Sequence, residues 1–179
     1  ALLHDEFGRA VAYEDVHDFD LANSFNLTPQ ELNAFLDRAH ETDVLAGLAL
    51  IAGAKETLTD WTARGFDIAI LTGRPPSARR ATEEWLGRHA MPHDHLYFVD
   101  KYGRFGDEAG VDGALSLDDL AALRFRLAIE DSPTTAVFLA ATDVAPVVLV
   151  DRPWNRSETN GKVRRVTQGL ELAEADWAP

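Results

Sequence analysis

Three polar groups of residues each follow a short apolar run, and their types suit a phosphate and a hard cation. These groups are Thr72-Gly73-Arg74, Asp100-Lys101 and Glu130-Asp131. A hydroxyl beside free backbone N–H groups suits a phosphate, and so does an ammonium group. Mg²⁺ prefers one or two carboxylates completed by phosphate oxygens and water. The sequence therefore indicates Thr72, Gly73, Arg74 and Lys101 as phosphate-binding candidates, and Glu130 and Asp131 as metal-binding candidates.

The pattern around these groups predicts that they lie on one edge of a sheet. Strands are predicted at 66–71, 96–99, 127–129 and 146–150, and helices at 77–89, 116–124 and 133–140. Strands that alternate with helices indicate a parallel α/β sheet with right-handed crossovers. Open α/β sheets bind ligands outside the carboxyl ends of their strands. We therefore expect the three polar groups to converge.

The first 65 residues have a helical pattern. Thr28-Pro29-Gln30-Glu31 is a capping box, and apolar residues follow it at helical spacing. A second helix is predicted at 54–64, closed by Gly65, whereas 44–53 stays unassigned. Aromatic residues at such spacing usually pack inside, so Phe19, Phe25 and Phe35 are expected to form a core rather than a stacking platform. The polar tail from residue 157 has one short predicted helix, at 170–175.

Composition excludes several classes of protein. The chain has 179 residues, no cysteine and a formal net charge of −13, so disulfides and thiolate chemistry are excluded. The acidic balance argues against a basic face that binds a nucleic acid polymer or an anionic membrane, and no run reaches the roughly 20 apolar residues of a membrane span. We expect a cytoplasmic chain with a small phosphorylated metabolite as its partner, and a homodimer is left open.

Taken in order, the motifs resemble those of a known superfamily. Ile70-Leu71-Thr72-Gly73-Arg74, then Lys101, then Ile129-Glu130-Asp131-Ser132-Pro133 resemble motifs two, three and four of the haloacid dehalogenase superfamily. Val148 to Asn155, a strand that leads into a Pro-aromatic-Asn turn, resembles the 5′(3′)-deoxyribonucleotidase branch. The resemblance covers the chain to about residue 156. It implies a Rossmann-like three-layer α/β/α parallel sheet with a helical cap at 4–50, a core at 51–156 and a tail at 157–179.

The resemblance also implies an activity and a role for each site residue. Thr72 would hydrogen-bond the transferring phosphoryl group, Lys101 would neutralise it, and Glu130 and Asp131 would hold Mg²⁺, with Asp131 as the direct ligand. The implied reaction is hydrolysis of a phosphomonoester, most often a (deoxy)nucleoside monophosphate, through an aspartyl-phosphate. The alternatives are a phosphatase for a sugar or another small phosphate, and a non-catalytic phosphate-binding protein of the same fold.

One motif of the superfamily has no counterpart here. The first motif, Asp-x-Asp at the end of a central strand, supplies both the nucleophile and the general acid/base. Asp18-Phe19-Asp20 has those letters, but the polar segment before it cannot form a buried strand. We expect Ala1-Leu2-Leu3 to belong to the helix that follows the first motif. The central strand is then missing from the sheet that this sequence forms.

Each candidate residue also has a structural interpretation. Thr72 could be a turn residue, Lys101 a solvated lysine, and Glu130 and Asp131 charges at a helix N-terminus, while Arg74 could pair with a nearby glutamate, Glu83 or Glu84.

Other polar groups are weaker candidates for a metal site. Pro92 prevents the i, i+4 helical pairing of His89, His93 and His95, so a metal site there is disfavoured. The loop carboxylates Asp107, Glu108 and Asp112 do not have the spacing of a calcium loop and are expected to be solvated.

Overall fold

Helices come first along the chain, and alternating strands and helices follow them. The computed structural model describes residues 1–101, 103, 105, 114–158 and 163–166. The first helices are α1 (Leu2–Phe7), α2 (Leu21–Phe25), α3 (Pro29–Ala39), α4 (Thr42–Ala46) and α5 (Ala54–Ala63). The later elements are β1 (Ala69–Thr72), α6 (Arg79–Arg88), β2 (His95–Val99), β3 (Ala114–Leu115), α7 (Leu117–Ala122), β4 (Ala128–Glu130), α8 (Pro133–Ala141), β5 (Val147–Val150) and β6 (Val163–Val166). The predicted α/β class is confirmed.

The helices before residue 50 have a small apolar core of their own. Thr28 caps α3 and forms the predicted capping box with Glu31. Phe35 on this helix is only 8% exposed and contacts the rings of Phe7 and Phe25 at centroid distances of 6.5 and 5.6 Å. The interior position predicted for Phe35 is therefore confirmed. Helix α4 occupies the start of the stretch that the sequence pattern left unassigned.

The strands form two parallel three-stranded sheets, in the orders β1-β2-β3 and β4-β5-β6. Strands β3 and β6 are not in the sequence prediction, and β6 lies in the segment treated there as a polar tail. Strand β3 has only two residues, and β6 has two arginines between its valines, so neither shows a clear apolar pattern. Both form through pairing with β2 and β5. The helix predicted at 170–175 and the loop residues Asp107, Glu108 and Asp112 lie outside the described residues.

Strands β1 and β4 are less buried than β5, although a single parallel sheet would bury all three. Strand β5 is buried except at its last residue, whereas β1 is half-buried throughout and Ile129 of β4 is 38% exposed. In the described part of the chain, no hydrogen bonds join β1 to β4. A cavity of about 350 Å³, here called the slot, is lined by both strands and by side chains such as Trp61, Phe66 and Leu139. Among the described residues, β1 and β4 therefore each have one edge without a strand partner, and the slot lies between these two edges.

The described helices include none that is both long and apolar enough to cross a membrane.

Candidate functional site

A cleft of about 1200 Å³ lies between the helices that precede residue 50 and the carboxyl ends of the strands. Its wall includes all six residues that the sequence singled out, namely Thr72, Gly73, Arg74, Lys101, Glu130 and Asp131. Residues from all three polar groups therefore converge on one cleft, at the carboxyl ends of strands from both sheets. Their chemical roles stay predictions.

Lys101 and Glu130 form a buried ion pair within the cleft wall. Lys101 Nζ lies 2.9 Å from Glu130 Oε1, and the side chains are 10% and 12% exposed. The pair joins the loop after β2 to the end of β4, and so links the two sheets. Lys101 is therefore not a solvated loop lysine. Because the Glu130 carboxylate is engaged by the ammonium group, Glu130 orients Lys101, and Asp131 is the freer carboxylate.

Thr72 and Arg74 shape the turn after β1. Thr72 Oγ1 accepts a hydrogen bond from the Arg74 backbone N–H at 3.2 Å, and Arg74 Nη1 donates to Thr82 Oγ1 at 3.0 Å. The suggested pairing of Arg74 with Glu83 or Glu84 is wrong, since these carboxylates contact Arg79 and Arg80 instead.

The Arg74 guanidinium is a cation without an ionic partner in the described part of the chain. Burial lowers the pKa of Arg74, because desolvation disfavours the charged form. An anion in the cleft would offset that cost. Arg74 thus stays a candidate partner for a negatively charged group in the cleft.

Hydrogen bonds to the backbone carbonyl of Asp131 hold this residue in place. Its carbonyl accepts hydrogen bonds from Trp154 Nε1 at 3.0 Å and Asn155 Nδ2 at 2.9 Å. Ser132, next in the chain, is the N-cap of α8 and accepts from the Thr135 N–H. Among the described residues, none donates a hydrogen bond to the Asp131 carboxylate, so this group is available to a ligand in the cleft.

The donor set of the cleft fits Mg²⁺. The described residues contain no group of three or more His, Asp or Glu side chains that could hold a metal ion unaided. Asp131, with Glu130 beside it, offers one or two carboxylates, which is what Mg²⁺ takes when phosphate oxygens and water complete its shell. A cation that needs a cage made entirely of protein ligands would not fit.

Asp20 caps a helix, and Asp18 bonds to a side chain of the same helix. Asp20 Oδ1 accepts from the Ala22 N–H at 2.9 Å at the start of α2. Asp18 Oδ2 accepts from Asn23 Nδ2 at 2.7 Å, and this bond together with the Asp20 N–H lowers the pKa of Asp18. The segment Asp18-Phe19-Asp20 therefore opens a helix and does not end a strand.

Sequence reasoning missed several residues of the cleft. Arg152 lines it and donates to the Asp151 carbonyl at 3.0 Å. The position of Arg152 just after β5, at the same sheet edge, was the signal that could have found it. The opposite wall comes from residues 1–51, here called the helical part, and has apolar residues such as Phe19, Leu36 and Ile51. The same wall also has the polar residues His17, Asp18, Asp20 and His40, so one wall of the cleft is charged and the other has both apolar and polar side chains.

Comparisons with known proteins agree with the motifs. Residues 37–111 match the family described as PITM 1-3, LNS2 domain, which has a haloacid dehalogenase-like fold. A Halalkalibacterium halodurans protein, provisionally named a nucleotidase, is 24% identical over 169 residues, 94% of this chain and 80% of that protein. A Bacillus subtilis protein with the same provisional name is 23% identical over 172 residues, 96% of this chain and 82% of that protein. The two bacterial similarities thus extend over both walls of the cleft.

Proposed function

We propose that this chain, a phosphatase or nucleotidase of the haloacid dehalogenase type, is a Mg²⁺-dependent phosphomonoesterase that acts on nucleoside monophosphates. The observation that carries the proposal is the composition of the charged wall. That wall combines an ammonium group on Lys101 that is paired with Glu130, a guanidinium on Arg74 that has no carboxylate partner among the described residues, and a carboxylate on Asp131 that accepts no hydrogen bond from them. These groups suit a phosphate dianion and the cation that accompanies it.

The residues of the charged wall have distinct tasks in this reaction. Lys101, held in place by Glu130, neutralises a nonbridging phosphoryl oxygen, and the Thr72 hydroxyl donates to another. Positioning and charge stabilisation of this kind supply most of the catalysis in phosphoryl transfer. Asp131, with Glu130 beside it, would hold Mg²⁺, which when bound withdraws charge from the phosphate oxygens.

The nucleophile is proposed to come from a strand that fills the slot. A parallel strand between β1 and β4 would pair with both free edges, and its carboxyl end would reach the cleft between Thr72 and Glu130. An aspartate at that end attacks phosphorus and the bond from phosphorus to the ester oxygen breaks, while that oxygen takes a proton from the general acid of the same motif and leaves as the nucleoside hydroxyl. Water then attacks the aspartyl-phosphate and releases inorganic phosphate, which restores the carboxylate.

The preference for a nucleoside over a sugar rests on the apolar side chains of the wall opposite the charged one. A nucleobase can cover apolar side chains such as Phe19 and Ile51, whereas a sugar hydroxyl placed there loses its hydrogen bonds with water. The names of the two bacterial relatives point the same way. A phosphatase for a small sugar phosphate is the alternative within the same chemistry.

A release assay for inorganic phosphate tests the proposal. The protein translated from its own initiating Met is incubated with nucleoside 5′-monophosphates and with sugar phosphates, each with Mg²⁺ and with a chelator. We expect the highest kcat/KM for a nucleoside monophosphate and loss of turnover with the chelator. Faster turnover of the sugar phosphates would favour the alternative, and absence of turnover on every substrate would favour a binding protein.

A further inference from the structure

Two side chains of one short 3₁₀ turn, Pro153–Asn155, hold the backbone carbonyl of Asp131. Trp154 Nε1 donates at 3.0 Å and Asn155 Nδ2 at 2.9 Å. Asn155 is completely buried, and its Oδ1 accepts from Arg165 Nη1 at 2.7 Å. The hydrogen bond from Asn155 to the Asp131 carbonyl is thus held in place by Arg165 on β6.

The Trp154 bond differs, because Trp154 also contacts the helical part. Its ring meets Tyr13 edge-to-face, with centroids 5.9 Å apart and planes at 80°. Beside them, Arg156 Nη1 lies 3.0 Å from Glu14 Oε2. Glu14 and Asp151 accept hydrogen bonds from Arg156, and both raise the pKa of Arg156. One ring contact and one ion pair therefore seat the turn Tyr13–Asp15 against the turn that holds Asp131.

On the premise of the proposed function, we propose that Trp154 is a positioning residue that couples the seating of the helical part to the placement of Asp131. The Asp131 carboxylate has no donor of its own among the described residues, so its direction depends on its backbone. If the helical part moves away, the Trp154 ring loses the support of Tyr13, and one of the two donors to the Asp131 carbonyl is no longer fixed. The Mg²⁺ affinity of the site then depends on whether the cleft is covered.

A matched pair of tryptophan variants tests this coupling. Trp154→Phe keeps a ring against Tyr13 and removes the N–H, while Trp85→Phe removes a similar bond, from Trp85 Nε1 to the Leu48 carbonyl at 2.8 Å, outside the cleft. Partners that orient a metal ligand change metal affinity about 10- to 100-fold. In calorimetric titration with MgCl₂ we therefore expect a Kd about 10-fold higher for Trp154→Phe. Trp85→Phe should keep the parent Kd, and the two variants should have similar Tm values, since each loses one hydrogen bond of the same kind.

The double variant with Tyr13→Ala separates coupling from local damage. Tyr13→Ala alone should weaken Mg²⁺ binding, and its combination with Trp154→Phe should weaken binding no further than Trp154→Phe alone, since coupled residues are non-additive. Effects that multiply, or a Trp154→Phe Kd equal to that of Trp85→Phe, would overturn the coupling. An unchanged Mg²⁺ Kd in Asp131→Asn would instead overturn the metal site of the proposed function, and this inference with it.

Discussion

Lys101 and Glu130 show what a sequence can and cannot reveal about single residues. Their types and their positions after strands predict that both lie at one sheet edge. Their mutual contact at 2.9 Å could not be predicted, because it joins residues from two different sheets. Which of two adjacent carboxylates turns toward the ammonium group depends on side-chain packing, and periodicity does not report that. The contact makes Glu130 a holder of Lys101.

Replacing one partner of this ion pair should destabilise the protein more than replacing both partners. Lys101→Met leaves the Glu130 carboxylate buried without a partner, and we expect a loss of about 3 kcal/mol in the free energy of unfolding. The double variant Lys101→Met/Glu130→Leu should lose less than the single one. Urea denaturation measures both, with Lys55→Met as the control, expected within about 0.5 kcal/mol of the parent. A Lys101→Met value equal to that of the control would show that the pair is solvated.

Helix starts are the elements that the sequence predicts best, because capping is local. Ser116 with Asp119, and Ser132 followed by proline, predict the starts of α7 and α8, and both serines are N-caps in the structure. The strands β3 and β6 have no such local signal. Each exists because a neighbouring strand offers it a parallel edge, which is a property of the assembled sheet.

The cap of α8 gives a prediction at this scale. Ser132 is 1% exposed, and its Oγ accepts from both the N–H and the hydroxyl of Thr135. Ser132→Ala should therefore lower the free energy of unfolding by about 1 kcal/mol. The exposed serine of the 3₁₀ turn before α6 provides a control, since Ser77→Ala should change stability by less than about 0.5 kcal/mol. Equal urea midpoints for the two variants would contradict this account of the cap.

At the scale of the whole molecule, the slot is the dominant feature. The superfamily resemblance predicts that the central strand is missing, and in the described part of the chain β1 and β4 have no strand partner on the edges beside the slot. Half-exposed apolar residues on both edges are unusual for strands that parallel sheets normally bury on both faces. The sequence could not indicate this feature, because the same apolar residue types line an open cavity and a packed core.

A substitution in the slot tests whether a further strand occupies it in the full-length protein. Ile129 is 38% exposed here, and a strand in the slot would bury it. Ile129→Thr should then cost about 2 kcal/mol of unfolding free energy, as in a packed core. Leu48→Thr is the control, since Leu48 is 42% exposed and lies outside the slot. If Ile129→Thr costs as little as Leu48→Thr, the slot stays open.

The most direct test of the central claim is the rate of phosphate release by an Asp131→Asn variant of the same full-length protein. With a nucleoside 5′-monophosphate and Mg²⁺, removing this charge should lower kcat/KM at least about 100-fold, the scale of losing one charge-stabilising group. Asp118→Asn, on the exposed face of α7, should keep the parent rate. An Asp131→Asn rate equal to that of Asp118→Asn would contradict the assignment of this cleft as the active site.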